Sequence, residues 1–88
     1  MKVEFRQSFL RDLQGLREKA VRARVAEAIA QVEAAPDLQQ IPHLKKLKSA
    51  GNSYRIRIGQ YRLGLIVNGE TVIFVRFLHR KDLYRYFP

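Results

Sequence analysis

Apolar and polar residues alternate through positions 54–67, which read Tyr54-Arg55-Ile56-Arg57-Ile58-Gly59-Gln60-Tyr61-Arg62-Leu63-Gly64-Leu65-Ile66-Val67. Two alternating runs around a Gly-Gln pair predict a β-hairpin closed by a two-residue loop with glycine first. In that register Ile58 pairs with Tyr61, Arg57 with Arg62, Ile56 with Leu63 and Arg55 with Gly64. One face then carries Tyr54, Ile56, Ile58, Tyr61, Leu63, Leu65 and Val67. The other carries Arg55, Arg57 and Arg62 beside Gly64. Like charges directly opposite one another on a sheet are destabilising, so this face calls for a neutralising partner outside the chain.

The remaining pattern supplies what covers the apolar face. Residues 2–6 alternate, with Val3 and Phe5 on one side, and predict a short strand. Ser8 stands where an N-cap would, ahead of Phe9, Leu10, Leu13 and Leu16 at helical spacing, and Gly15 weakens the end of this first helix. From about Leu16 to Ala35, Val21, Val25, Ala28, Ile29 and Val32 recur at three- and four-residue steps and predict a second helix, stopped by Pro36. The stretch 36–52 reads as an irregular connection with a turn of helix, pinned to the core by Ile41, Leu44 and Leu47. Asn68-Gly69 predicts a type I′ turn into a third hairpin strand over 71–78. In that register Val72 and Phe74 face the helices, and Ile73, Val75, Phe77 and His79 share the arginine face. Arg76 falls on the helix side unless it snorkels at an edge or a bulge shifts the register. Residues 79–87 close the chain as a short helix or irregular tail. With no repeat and no low-complexity segment, residues 1–88 read as one domain. The expected fold class is α+β, an N-terminal strand and a helical hairpin packed on an antiparallel sheet in the order β-α-α-β-β-β.

Composition adds a partner class. Seventeen Lys and Arg against eight Asp and Glu give a net charge of +9, which favours nucleic acid, an anionic membrane surface or an acidic protein as partner. The start, Met-Lys-Val-Glu-Phe-Arg, has no apolar leader pattern, and no run has the length of a membrane span. The absence of cysteine fits a reducing compartment. The expectation is a soluble cytoplasmic protein with no membrane partner.

The same residues exclude several chemistries. The carboxylates are scattered, so no two-metal site is expected. The two histidines, His43 and His79, lie in different segments and no thiolate is available for zinc. Ser8, Ser49 and Ser53 show no nucleophile motif, and no glycine-rich phosphate loop precedes a helix. Neither metal nor cofactor is expected. What remains is a cationic floor of Arg55, Arg57 and Arg62 with a rim of His79, Arg80 and Tyr84. Such a set suits metal-free RNA cleavage, in which a ribose 2′-OH attacks the adjacent phosphate and guanidinium forks stabilise the charge that gathers on its oxygens. His79 is the candidate for proton transfer, and Tyr84 for stacking on a splayed base or orienting the phosphate. Lys45, Lys46 and Lys48 form either a solvated edge or an RNA-binding extension of the rim. The residues alone leave four further readings open. The arginines can grip phosphate without cleavage, they can accept an acidic partner chain, His79 can be a structural hydrogen-bonder, and Tyr84 and Tyr86 can cap the core.

The signature Tyr54-Arg55-Ile56-Arg57-Ile58-Gly59-Gln60-Tyr61-Arg62, followed by an apolar strand and His79-Arg80-Lys81-Asp82-Leu83-Tyr84, resembles the RelE/ParE superfamily of bacterial toxin–antitoxin modules, the RelE-type mRNA interferases in particular. Leu44-Lys45-Lys46-Leu47 is similar to the segment leading into that signature. The resemblance runs the length of the chain. It implies a type II toxin that acts as a ribosome-dependent endoribonuclease on mRNA, with a cognate antitoxin, the ribosome and mRNA as partners. It also implies that Arg55, Arg57, Arg62, Arg80 and Tyr84 occupy the positions of the family's site residues. One departure stands out: some members carry a lysine proposed as general base where this chain has Arg55 and Arg57, and arginine does not release its proton. A ParE-like inhibitor that binds DNA gyrase without catalysis is the alternative activity within the superfamily. A non-toxic basic binding module is a third.

Overall fold

The computed structural model of the chain describes residues 1–47 and 51–88. The elements run β1 (Lys2–Phe5), α1 (Gln7–Gln14), α2 (Lys19–Ala34), a short 3-10 helix (Leu38–Gln40), β2 (Leu44–Lys46), β3 (Ser53–Ile58), β4 (Tyr61–Asn68), β5 (Thr71–His79) and α3 (Leu83–Tyr86). The five strands form one sheet in the order β1-β5-β4-β3-β2. The α+β class is as expected, and the sheet adds two features. β2 is a strand of its own, antiparallel to β3, and β1 joins the opposite side of the sheet parallel to β5.

The central hairpin has the expected register, Ile58 against Tyr61, Arg57 against Arg62, Ile56 against Leu63 and Arg55 against Gly64. Gly59 has φ +56, the left-handed conformation that glycine adopts without steric cost at the first loop position. The next turn is shifted by one residue from the Asn68-Gly69 expectation. Asn68 pairs with Thr71, so Gly69 and Glu70 form the loop, and only Gly69 takes a positive φ, +61. A type I′ turn needs positive φ at both loop positions, so this turn is of the other hairpin kind.

Tertiary contacts displace one predicted cap. Helix α1 starts directly after an extended Arg6, and Ser8 lies inside it. The Ser8 hydroxyl donates to the Val75 carbonyl instead of capping the helix. Helix α2 begins at Lys19, with Leu16 buried in the connection ahead of it.

Helices α1 and α2 lie on one face of the sheet. The core between them holds Phe9, Val25, Ala28 and Val32 from the helices and Ile56, Ile58, Leu63, Leu65, Val72, Phe74 and Phe77 from the strands. Phe74 is fully buried between Phe5 and Phe9, with ring centroids 5.5 Å from each. Burying such a side chain stabilises the fold by about 1.5–3 kcal/mol.

A second, smaller cluster occupies the opposite face. Leu47, Leu83 and Phe87 pack against Ile66, Val75 and Leu78. The C-terminal tail thus lies across the outer side of the sheet. Its anchor is Phe87, whose ring lies flat on Gly64: a Cβ there would fall 2.8 Å from the ring.

A bulge organises β5. Leu65 pairs with Phe74 but Gly64 with Arg76, leaving Val75 as the extra residue. The bulge inverts every side chain that follows. Phe77 therefore faces the helices, where it stacks on Tyr61 with centroids 5.0 Å apart, and Arg76 lies opposite Gly64. The expected placement of Phe77 and His79 on the arginine face is overturned, and the difficulty with Arg76 disappears. β1 accompanies β5 only to Phe74. Beyond it, α1 closes the edge: the Asp12 carboxylate accepts from the Phe77 N–H at 2.9 Å and from Arg76 Nε and Nη2 at 2.8 and 3.1 Å.

Candidate functional site

The hairpin register sets three arginines on the outer face of β3 and β4. Arg57 is opposite Arg62 and Arg55 is opposite Gly64. The loop and the preceding segment hold them in place. Arg62 Nη1 donates to the carbonyls of Gly59 and Tyr61, both at 2.9 Å. Arg55 Nη1 donates to the His43 carbonyl at 2.9 Å, and Arg57 Nη2 donates to His43 Nδ1 at 3.4 Å.

The tail adds two more groups. The Arg80 N–H donates to the Gln60 carbonyl at 2.8 Å, tying the end of β5 to the hairpin loop. Leu83 and Phe87 bury themselves on the sheet, which leaves Tyr84 between them 65 % exposed. The five groups interact at Arg62. Burial, then repulsion from Arg55 and Arg57, push its guanidinium below the ordinary arginine value; Tyr84 pushes it up and Arg80 down. An arginine remains charged at neutral pH even so. Among the described residues none of these four guanidiniums has an ion-pair partner, whereas Arg76 is neutralised by Asp12. Arg76 is accordingly raised above the ordinary value, first by its hydrogen bond to Asp12.

His79 stands elsewhere. It pairs with Tyr61 on the helix-facing side, edge-on to the Tyr61 ring at 5.9 Å between centroids. Its Nδ1 accepts from the Lys81 N–H at 3.2 Å. The bulge has carried it off the arginine face. Tyr61 cannot substitute as a base, because its hydroxyl donates to Glu18 at 3.0 Å. That hydrogen bond is the main cause raising the phenol above the ordinary tyrosine value.

The lysines separate. Lys45 pairs with Arg55 and extends the arginine side of the sheet, while Lys46 pairs with Tyr54 on the other side; both are exposed. Lys48 lies outside the described residues.

Two residues that the sequence reading passed over adjoin this face. His43 is the one non-glycine residue with positive φ among those described, at +62, and it holds both Arg55 and Arg57. Arg24 of α2 reaches the hairpin loop, where a Cβ on Gly59 would lie 3.0 Å from its Nη1. Between α2 and the end of β3 these residues, with Glu27, Gln31 and Arg57, line a recess of about 160 Å³. The signal for His43 was its place just ahead of β2, opposite Arg57, and it became readable only once β2 was recognised as a strand.

The outer face is therefore a concentration of fixed, unpaired guanidiniums beside an exposed phenol, with no three-residue cluster of metal ligands among the described residues. Its geometry suits a phosphodiester whose oxygens gain charge. No helix among the described residues is long and apolar enough to cross a membrane.

Comparison with known proteins places this arrangement in context. Residues 3–84 match the family described as the ParE toxin of the type II toxin–antitoxin system parDE. Over 89 aligned residues, covering all of both chains, the sequence is 43% identical to a toxin named RelE3 from Methanocaldococcus jannaschii. The fold matches the RelB–RelE antitoxin–toxin complex from Methanococcus jannaschii with a TM-score of 0.81 and 40% identity, covering 97% of this chain and 99% of that one. It matches the toxin–antitoxin complex RelBE2 from Mycobacterium tuberculosis with a TM-score of 0.70 and 29% identity, covering 90% and 96%.

Proposed function

The chain belongs to the RelE/ParE superfamily of type II toxin–antitoxin toxins, and from that premise we propose that it is a metal-free endoribonuclease that cleaves mRNA on the ribosome. The observation that carries this reading is the grouping of Arg55, Arg57 and Arg62 by the β3–β4 register with the Arg80 and Tyr84 segment, which the Gln60 carbonyl and the buried Leu83 and Phe87 tie to the same face. In the reaction a ribose 2′-oxygen forms a bond to the adjacent phosphorus, the bond to the 5′-oxygen breaks, and the 2′ proton passes to solvent or a base. The 5′-oxygen takes up a proton in turn. Arg62, backed by two carbonyls, and Arg80 bind the phosphoryl oxygens as their charge grows. Tyr84 orients or stacks on the flanking nucleotide. None of the arginines takes the proton, and His79 faces away, so the rate rests on positioning and charge stabilisation. Lys45 extends the phosphate contacts.

A cognate antitoxin is the expected protein partner, because the similar toxins crystallised with RelB-type antitoxins. The unpaired positive face offers that partner's acidic side chains a place to bind.

Brief expression of the chain with mapping of new mRNA 5′ ends, in parallel with a supercoiling assay on purified gyrase, tests the reading. Codon-phased cuts that disappear in Arg62→Ala support it. Intact messages with lost supercoiling support the gyrase-binding alternative, which the ParE name of the matching family keeps in view. Inactivity in both assays leaves a binding module.

A further inference from the structure

His43 is exposed, yet its backbone and its ring are both engaged with the arginine-bearing strand. Its carbonyl accepts from Arg55 Nη1 at 2.9 Å and from the Arg57 N–H at 3.5 Å. Its Nδ1 accepts from Arg57 Nη2 at 3.4 Å. A guanidinium has donors only, so Nδ1 is the acceptor in this contact. The left-handed φ of +62 is uncommon outside glycine, and histidine is among the residues that enter it more readily. Such conformations persist where the surroundings hold them, and they cluster at functional sites.

We infer that His43 is a positioning residue of the arginine face: its Nδ1 fixes the end of the Arg57 side chain beside Arg55, whose own guanidinium the His43 carbonyl holds. The device differs from a general base: His43 acts through Arg57 and needs no contact with the scissile bond.

The effect on cleavage rests on the nuclease reading, whereas the coupling between His43 and Arg57 does not, and two readouts separate them. The first is kcat and KM for mRNA cleavage by purified protein on programmed ribosomes, for wild type, His43→Asn and His43→Ala. Asparagine tolerates the left-handed backbone and keeps a side-chain acceptor. Expected is a kcat for His43→Asn that recovers most of the wild-type value. His43→Ala is expected to lose about tenfold at neutral pH through a misplaced Arg57. If His43→Asn is as slow as His43→Ala, the imidazole moves the proton itself and the positioning role is overturned. A kcat for His43→Ala equal to wild type overturns it as well. The second readout is the Arg57 Nε–Hε NMR signal of the free protein. It is expected to move in His43→Ala and to return toward its wild-type position in His43→Asn; a signal unmoved in His43→Ala overturns the inference whether or not the chain cleaves RNA. A chain that cuts nothing but shows that displacement of the Arg57 signal removes the nuclease reading and leaves the coupling standing.

Discussion

The two faces of the sheet are covered in different ways. On the inner face two helices meet strands through side chains that are all but inaccessible, Phe74, Leu63, Leu65 and Val72 among them. On the outer face a nine-residue tail covers part of the surface with Leu83 and Phe87 and leaves the rest to mutually repelling guanidiniums. The inner face is arranged for stability. The outer face retains charge at some cost in stability, and it tolerates this because the inner core supplies the cohesion. Activity and stability should therefore respond to different substitutions.

The largest expected effect is on the inner face. Phe74→Ala removes the centre of the Phe5, Phe9 and Phe74 cluster and should cost about 3–5 kcal/mol. That is much of what a small domain has, and chemical denaturation will show it. Next is Arg62→Ala, expected to lower cleavage by about 10²-fold or more while the melting temperature stays close to wild type. A parallel fall in both would erase the contrast between the faces. Gly64→Ala sets a Cβ against the Phe87 ring and should cost about 1–3 kcal/mol by overpacking. Because Phe87 anchors the tail that carries Arg80 and Tyr84, activity should fall with it, and restoring space with Phe87→Leu in the same chain should recover part of both. The smallest effect belongs to Tyr61→Phe, which removes the hydroxyl bound to Glu18. Cleavage should be unchanged and only a slight loss in melting temperature is expected, since the group is on the helix-facing side and no part of the arginine patch.

What was legible in the sequence was local. The alternation on either side of Gly59-Gln60 determined which strand residues oppose one another, and with it the grouping of Arg55, Arg57 and Arg62. The helical spacing of Val25, Ala28 and Val32 identified the buried side of α2. What was hidden depends on contacts distant in the chain. β2 is three residues long and two of them are lysines, so nothing in its own pattern marks a strand; β3 supplies the pairing. Ser8 reads as a cap until the unpaired Val75 carbonyl competes for its hydroxyl. The bulge at Val75 is signalled only by Arg76, which otherwise falls on the helix side, and that signal leaves edge snorkelling equally open; the bulge moves Phe77 and His79 to the other side and takes the expected base out of the site. The landing of Phe87 on Gly64 joins residues 23 positions apart, and it explains why that strand position lacks a side chain.

The edge of β5 beyond Phe74 has a consequence for assembly. An unpaired strand edge is a template on which another chain can add by backbone pairing. Here Ser8 and Asp12, four residues apart on one side of α1, occupy the Val75 carbonyl and the Phe77 N–H. The helix thus works as a chain terminator for the sheet. An incoming strand can extend it beside β1 or beside β2, but the stretch of β5 leading to Arg80 is closed to polymerisation.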